Sequence, residues 1–158
     1  MLSALVAFGV RCLLVGLFLP FSALDKILNF KQATVQASQA VSNRLLATAL
    51  IGCGLGVEII MSAAILAGFV DRLAAFILAG YCIVTALLWK QFWKEPDFRL
   101  KGSSAGREVF WDFMKNVALA GGFLLLAFGS DAVGVVRFIH HPLQSSHPYA
   151  VPEASNDR

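Results

Sequence analysis

"LLATALIGCGLGVEIIMSAAILAGF", residues 45–69, carries a single charged side chain, Glu58, in an otherwise apolar or small-residue run. At 1.5 Å per residue, the run is long enough as a helix to cross a hydrocarbon core of about 30 Å. Three other stretches read the same way. One runs from about Leu2 to Leu24, with Pro20 near its far end. Another follows a tight turn at Val70–Asp71–Arg72 and continues to about Trp93, and the last covers about Val109 to Phe128. The expected fold is an all-α membrane protein, a four-transmembrane-helix bundle.

Composition points the same way. The 158 residues are 58% hydrophobic and 15% charged, with a mean hydropathy of +0.70. A soluble domain of this length has too much surface per volume to hide so much apolar area. The net charge of +3 includes no dense basic block, which argues against a nucleic-acid surface. Cys12, Cys53 and Cys82 lie in apolar runs without CxxC spacing, so neither a metal centre nor a thioredoxin-type pair is expected. His140, His141 and His147 all follow the last span, which leaves nothing to ligate a bis-His haem within the bundle. The N-terminus lacks a basic n-region and carries Arg11 inside its apolar stretch, so it reads as a retained helix rather than a signal peptide.

The connections are distinct in character. "KQATVQASQAVSNR", residues 31–44, is compatible with a short interfacial helix between helices 1 and 2. "KEPDFRLKGSSAGRE", residues 94–108, reads as a plain loop. Residues 1–129 form the expected four-helix domain, and 130–158 a C-terminal extension, partly interfacial or disordered, with disorder expected in the last dozen residues. Most basic residues fall in the first and third loops, which places those loops in the cytoplasm and both termini outside. Trp89, Phe92, Trp93 and Trp111 mark that boundary as an aromatic belt.

Charges within the spans are the candidate site. Arg11 lies ~14 Å into the first span, and Glu58 ~16 Å from the same face in the antiparallel second span, at 1.5 Å per residue. Matched depths predict a buried Arg11–Glu58 pair, serving either as structural glue or as a proton or ligand site. Arg11, Val15, Phe18, Ser22 and either Asp25 or Lys26 recur at helical spacing on one face. Lys115 and Asn116 sit near the same end of the fourth span, so Lys26, Asp25, Lys115 and Asn116 are expected at one bundle mouth, together with Lys90 and Asp112. Head-group anchoring is the alternative role for these side chains. Gly52 and Gly56 have GxxxG spacing and, with Gly121 and Gly122, are expected to pack helices closely.

In order along the chain, "RCLLVGLFLPFSALDKILNF", "GVEIIMSAAILAGFVDRLAAFILA", "TALLWKQFW" and "FMKNVALAGGFLLLAFG" resemble the DoxX family over about residues 11–129. Arg11, Lys26, Phe30, Glu58, Arg72, Trp93, Lys115, Asn116, Gly121 and Gly122 occupy the family's positions. Ala23 and Lys90 depart from it, standing where the family often has glycine and histidine. The resemblance implies a subunit of a membrane redox system in the bacterial cytoplasmic (inner) membrane, of the kind named for thiosulfate:quinone oxidoreductase, quinol oxidase or oxidative-stress complexes. It implies a quinone as ligand, with no covalently bound cofactor. The absence of haem ligands argues that the chain does not transfer electrons alone. Besides the lipid bilayer, the expected partners are other membrane subunits or further copies of the chain. Two alternatives compete: a structural assembly subunit of a larger membrane complex, and a small proton or solute carrier.

Overall fold

Leu13 and Leu45 are 83% and 82% exposed, whereas Arg11, Glu58 and Asp71 are 3%, 1% and 0% exposed. That inversion is what a chain does when lipid rather than water surrounds it. The computed structural model describes residues 1–38, 41 and 43–150, and all regular structure among them is helical.

The first span, Leu2–Leu28, consists of α1 (Leu2–Val15), a π turn over Leu17–Ser22 and α2 (Ala23–Leu28). Pro20 lies inside the π turn, and the Ala23 N–H donates to the Phe18 carbonyl five residues back. Proline supplies no N–H and crowds the preceding turn, and a wider turn accommodates both effects. The span therefore extends one turn beyond the expected Leu24. A short helix, α3 (Phe30–Ala37), follows and lies against α4 (Arg44–Ala67). The Asn43 side chain caps α4 by accepting from the Leu45 and Leu46 N–H groups.

Helix α4 stops at Gly68, whose φ of +68° is the left-handed cap that glycine adopts without strain. Val70 is also left-handed, at φ +49°, an unusual conformation for a β-branched residue. The turn is thus Gly68–Val70, and Asp71 opens α5 (Asp71–Trp89) rather than sitting in the turn. With the 3-10 turn Phe92–Lys94, this third span runs Asp71–Lys94. The fourth, α6 (Ala105–Phe128), starts earlier than expected because Ser104 and Asp97 both accept from its first N–H groups. All four spans are long and apolar enough to cross a membrane, and the chain is a multi-pass membrane protein.

The interior is built on small residues. Ala74, Ala75 and Ala79 of α5 and Ala120 and Ala127 of α6 are buried, with Ile65, Leu78, Cys82 and Phe123 filling between them. Small side chains let membrane helices approach closely, where dispersion replaces the hydrophobic effect as the attraction. The expected glycines do little of this. A Cβ at Gly52, Gly56 or Gly121 would meet nothing within 4 Å, and only Gly122 is tight, at 2.9 Å from Leu14. GxxxG brings helices together only where its face meets another helix, and the Gly52–Cys53 face of α4 points outward.

Helix α7 (Ala132–His140) packs on α6 through Phe138, which meets Phe128 and Phe76. Residues 141–150 then return across the α4–α5 turn. Of the last dozen residues, expected to be disordered, Pro148 and Tyr149 pack against Gly68, and 151–158 lie outside the described residues.

Candidate functional site

Three donors converge on one oxygen of Glu58. Lys26 Nζ lies 2.7 Å from Oε1, the Tyr81 hydroxyl 2.7 Å and the Ser22 hydroxyl 3.1 Å. Lys26 also donates to Ser22 Oγ at 2.6 Å, so α2 and the π turn present a linked pair to the carboxylate. The other oxygen, Oε2, is buried with no hydrogen-bond partner among the described residues, and so is Ser62 Oγ one turn along α4. Burying a carboxylate in a span is costly unless it is paired, and Lys26 provides the pairing.

Gly54, one turn before Glu58, is what lets Tyr81 in. A Cβ there would stand 3.2 Å from the Tyr81 hydroxyl oxygen. Phe18 holds the tyrosine ring from the side, with centroids 6.2 Å apart and planes at 71°. The edge-on arrangement places ring hydrogens against the π face, the favourable geometry for an aromatic pair.

Glu58 lies at the inner end of a cleft of about 660 Å³. Asp25, Lys26, Lys115 and Asn116, the residues expected at the mouth, all line it, with Tyr81, Thr85, Trp89, Lys90 and Asp112. At the rim the Asp112 carboxylate accepts from Lys90 and Lys115, each at 3.1 Å, and its carbonyl accepts from Asn116 at 3.2 Å. Asp25 accepts from Asn29 at 2.8 Å. Lys26, Lys90 and Lys115 thus face Asp25, Glu58 and Asp112, and the ionic side chains of the cleft balance. The remaining wall is mixed: Leu17, Phe18, Leu50 and Leu119 give it an apolar side, and Asn29, Gln32 and Gln36 add uncharged polar groups. Such a cleft suits an uncharged ligand with hydrogen-bonding groups on a hydrophobic body.

Arg11 does not pair with Glu58. Its NH2 lies 2.6 Å from Asp71 Oδ2, and its NH1 donates to the Ile65 carbonyl at 2.7 Å. Both Arg11 and Glu58 are buried, but they belong to separate centres. Ile65 is seven residues beyond Glu58 on α4, ~10 Å along the helix axis, which is the offset the depth estimate missed. Equal depth from the span ends means equal level only where the spans begin at one plane. The longer first span overhangs at its start, and Arg11 is consequently level with the end of α4.

The tail completes the second centre. Ser146 N–H donates to Asp71 Oδ1 at 2.8 Å, its hydroxyl donates to Oδ2, and that hydroxyl accepts from Arg11 at 2.9 Å. Ser145 donates to the Gly68 carbonyl, and the Tyr149 hydroxyl to the Leu66 carbonyl at 2.5 Å. The Tyr149 ring lies 5.9 Å from the Arg11 guanidinium carbon and 6.1 Å from the Phe8 ring. Burial pushes the Tyr149 phenol above its ordinary range, which keeps it a donor.

Asp71, Tyr81, Ser146 and Tyr149 were not among the sequence candidates. The signal for the tyrosines was available: the chain has only two, and both hydroxyls reach into the bundle. The sequence reads Asp71 as part of a turn, although an acid at a helix start near a buried arginine is a natural partner.

No curated protein and no solved structure matches the chain. The family model for DoxX matches residues 6–91, which hold Arg11, Ser22, Lys26, Glu58, Asp71 and Tyr81, the membrane-span side chains of both polar centres. That match covers more than half of the chain, and the protein belongs to the DoxX family.

Proposed function

We propose that the protein is a non-haem membrane subunit that binds a quinone head group in the Glu58 cleft and thereby anchors or assists a quinone-linked redox complex. The observation that carries this reading is Glu58 itself. It is buried, bonded through Oε1 alone among the described residues, and stands beside three donors at the inner end of an amphiphilic cleft. A quinone ring is uncharged and carries two carbonyl acceptors, which matches a cleft with balanced charge, hydrogen-bond donors and an apolar side. Lys26, Tyr81 and Trp89 would hold the carbonyls, and Glu58 would give or take a proton at its carboxylate. Trp89 adds a buried indole N–H with no partner among the described residues. When bound, the quinone supplies two-electron, two-proton redox chemistry. A cytoplasmic-membrane setting with both termini outside fits the concentration of basic residues in the first and third loops.

The test is titration of the detergent-purified protein with a short-chain quinone, following Trp89 emission in a Trp93→Phe, Trp111→Phe background. Saturable quenching is expected, about tenfold weaker in Lys26→Met and Glu58→Leu, the loss of a charge-assisted hydrogen bond. Absence of saturation, or equal affinity in all three proteins, overturns the reading.

A second reading, an assembly subunit, draws on the outward Gly52 and Gly56, which are free to meet another helix. Partner loss on Gly56→Leu with Glu58→Gln harmless would select it. A proton or solute carrier would instead show liposome flux that depends on Glu58.

A further inference from the structure

The two polar centres share one structural element. α1 carries Arg11, and past the π turn the same span carries Ser22 and Lys26, the partners of Glu58. Much of α1 faces outward, with Leu2, Leu5, Val6 and Leu13 exposed, so few interior contacts fix it. Its strongest tether is Arg11, which bonds to the end of α4, the start of α5 and the tail. Ser146 and Tyr149 cover that tether, bonding to Asp71 and Leu66 and stacking beside Arg11 and Phe8. Midway lies the π turn with Pro20, a site where a helix bends without breaking other hydrogen bonds.

We propose that the C-terminal strap, residues 143–150, is a regulatory clamp: by seating Arg11 on Asp71 it holds the first span in the position from which Ser22 and Lys26 reach Glu58. Release of the strap frees α1 to bend at the π turn, which displaces Ser22 within that turn, breaks its bonds to Glu58 and Lys26 and so loosens the inner end of the cleft. A partner on the strap side, or a ligand in the cleft, then acts on the other end across about 22 Å of helix, the fifteen residues from Arg11 to Lys26. Its regulatory meaning rests on the cleft being the ligand site, whereas the coupling itself requires no ligand. Linkage makes it reciprocal: whatever loosens the Glu58 end must loosen the strap.

The experiment is hydrogen–deuterium exchange on the full-length protein in detergent or nanodiscs, without quinone. Ser146→Ala/Tyr149→Ala is expected to raise exchange in 143–150 and also, about fivefold or more, in 17–28. Ser146→Ala alone, the milder variant should the double one fail to fold, is expected to do the same to a smaller extent. Glu58→Gln is expected to raise exchange in 143–150. Increases confined to 143–150 in the strap variants, or an unchanged strap in Glu58→Gln, overturn the proposal. Because no ligand is present, this outcome is independent of whether the cleft binds quinone.

Discussion

The Tyr81 hydroxyl reaches Glu58 Oε1 at 2.7 Å by passing Gly54, where even a methyl group would stand 3.2 Å from its oxygen. The glycines of α4 are therefore not equivalent. Gly54→Leu is expected to expel Tyr81 and cost about 1–3 kcal/mol, the range for overpacking. Gly52→Leu and Gly56→Leu are expected to stay within about 0.5 kcal/mol in the monomer, since their Cβ positions are open. Equilibrium denaturation in mixed micelles distinguishes the three.

Asp71 is fully buried against Arg11. Asp71→Asn is expected to destabilise by about 3–5 kcal/mol, because it strands a buried guanidinium. The double change Arg11→Met/Asp71→Leu is expected to recover most of that loss, as apolar replacement of a whole buried pair often does. Equal losses in the single and double variants would show that the pair is not the coupled unit described.

Val70 holds a left-handed conformation at φ +49° that a β-branched residue adopts only under strain. Val70→Gly is expected to stabilise the α4–α5 turn by about 1 kcal/mol, visible as a raised thermal midpoint. A lowered midpoint would mean that the valine side chain contributes more through packing than its backbone costs.

Tyr149 titrates above the ordinary tyrosine value of 10.0 because burial disfavours its anion. A raised value means that the folded state favours the protonated phenol. Its contribution is complete below the ordinary value and is lost as pH rises through the raised one. Strap proteolysis is expected to increase steeply above about pH 10, and Tyr149→Phe is expected to remove that alkaline step. A step of the same size in Tyr149→Phe would assign it to other groups.

The spans were legible because membrane insertion is governed by length and apolarity, which a sequence displays directly. Helix ends were less so: Leu28, Ala67 and Ala105 as boundaries depend on a π turn, a glycine cap and an Asp97–Ser104 cap. Grouping of Lys26, Asp25, Lys115 and Asn116 at one mouth followed from helical spacing plus antiparallel order. The pairing of Arg11 did not, because depth was counted from span ends that are not coplanar. Nor was the strap visible, since Ser145, Ser146 and Tyr149 follow no periodicity and act through contacts far away in sequence.

A π turn holds one residue more than an α turn, and this makes the first span sensitive to length as well as to identity. Because the wide turn absorbs that residue, deleting one within 17–22 would let it relax to regular α-helix with Arg11 and Lys26 still in register, whereas adding or removing one elsewhere between them would turn Arg11 by about 100° relative to Lys26. Every side chain would survive, yet only one of the two ion pairs would still form. Changes of length between Arg11 and Lys26 that the π turn cannot absorb, rather than substitutions at the charges, are thus the changes to which the joint architecture of the two centres is most exposed.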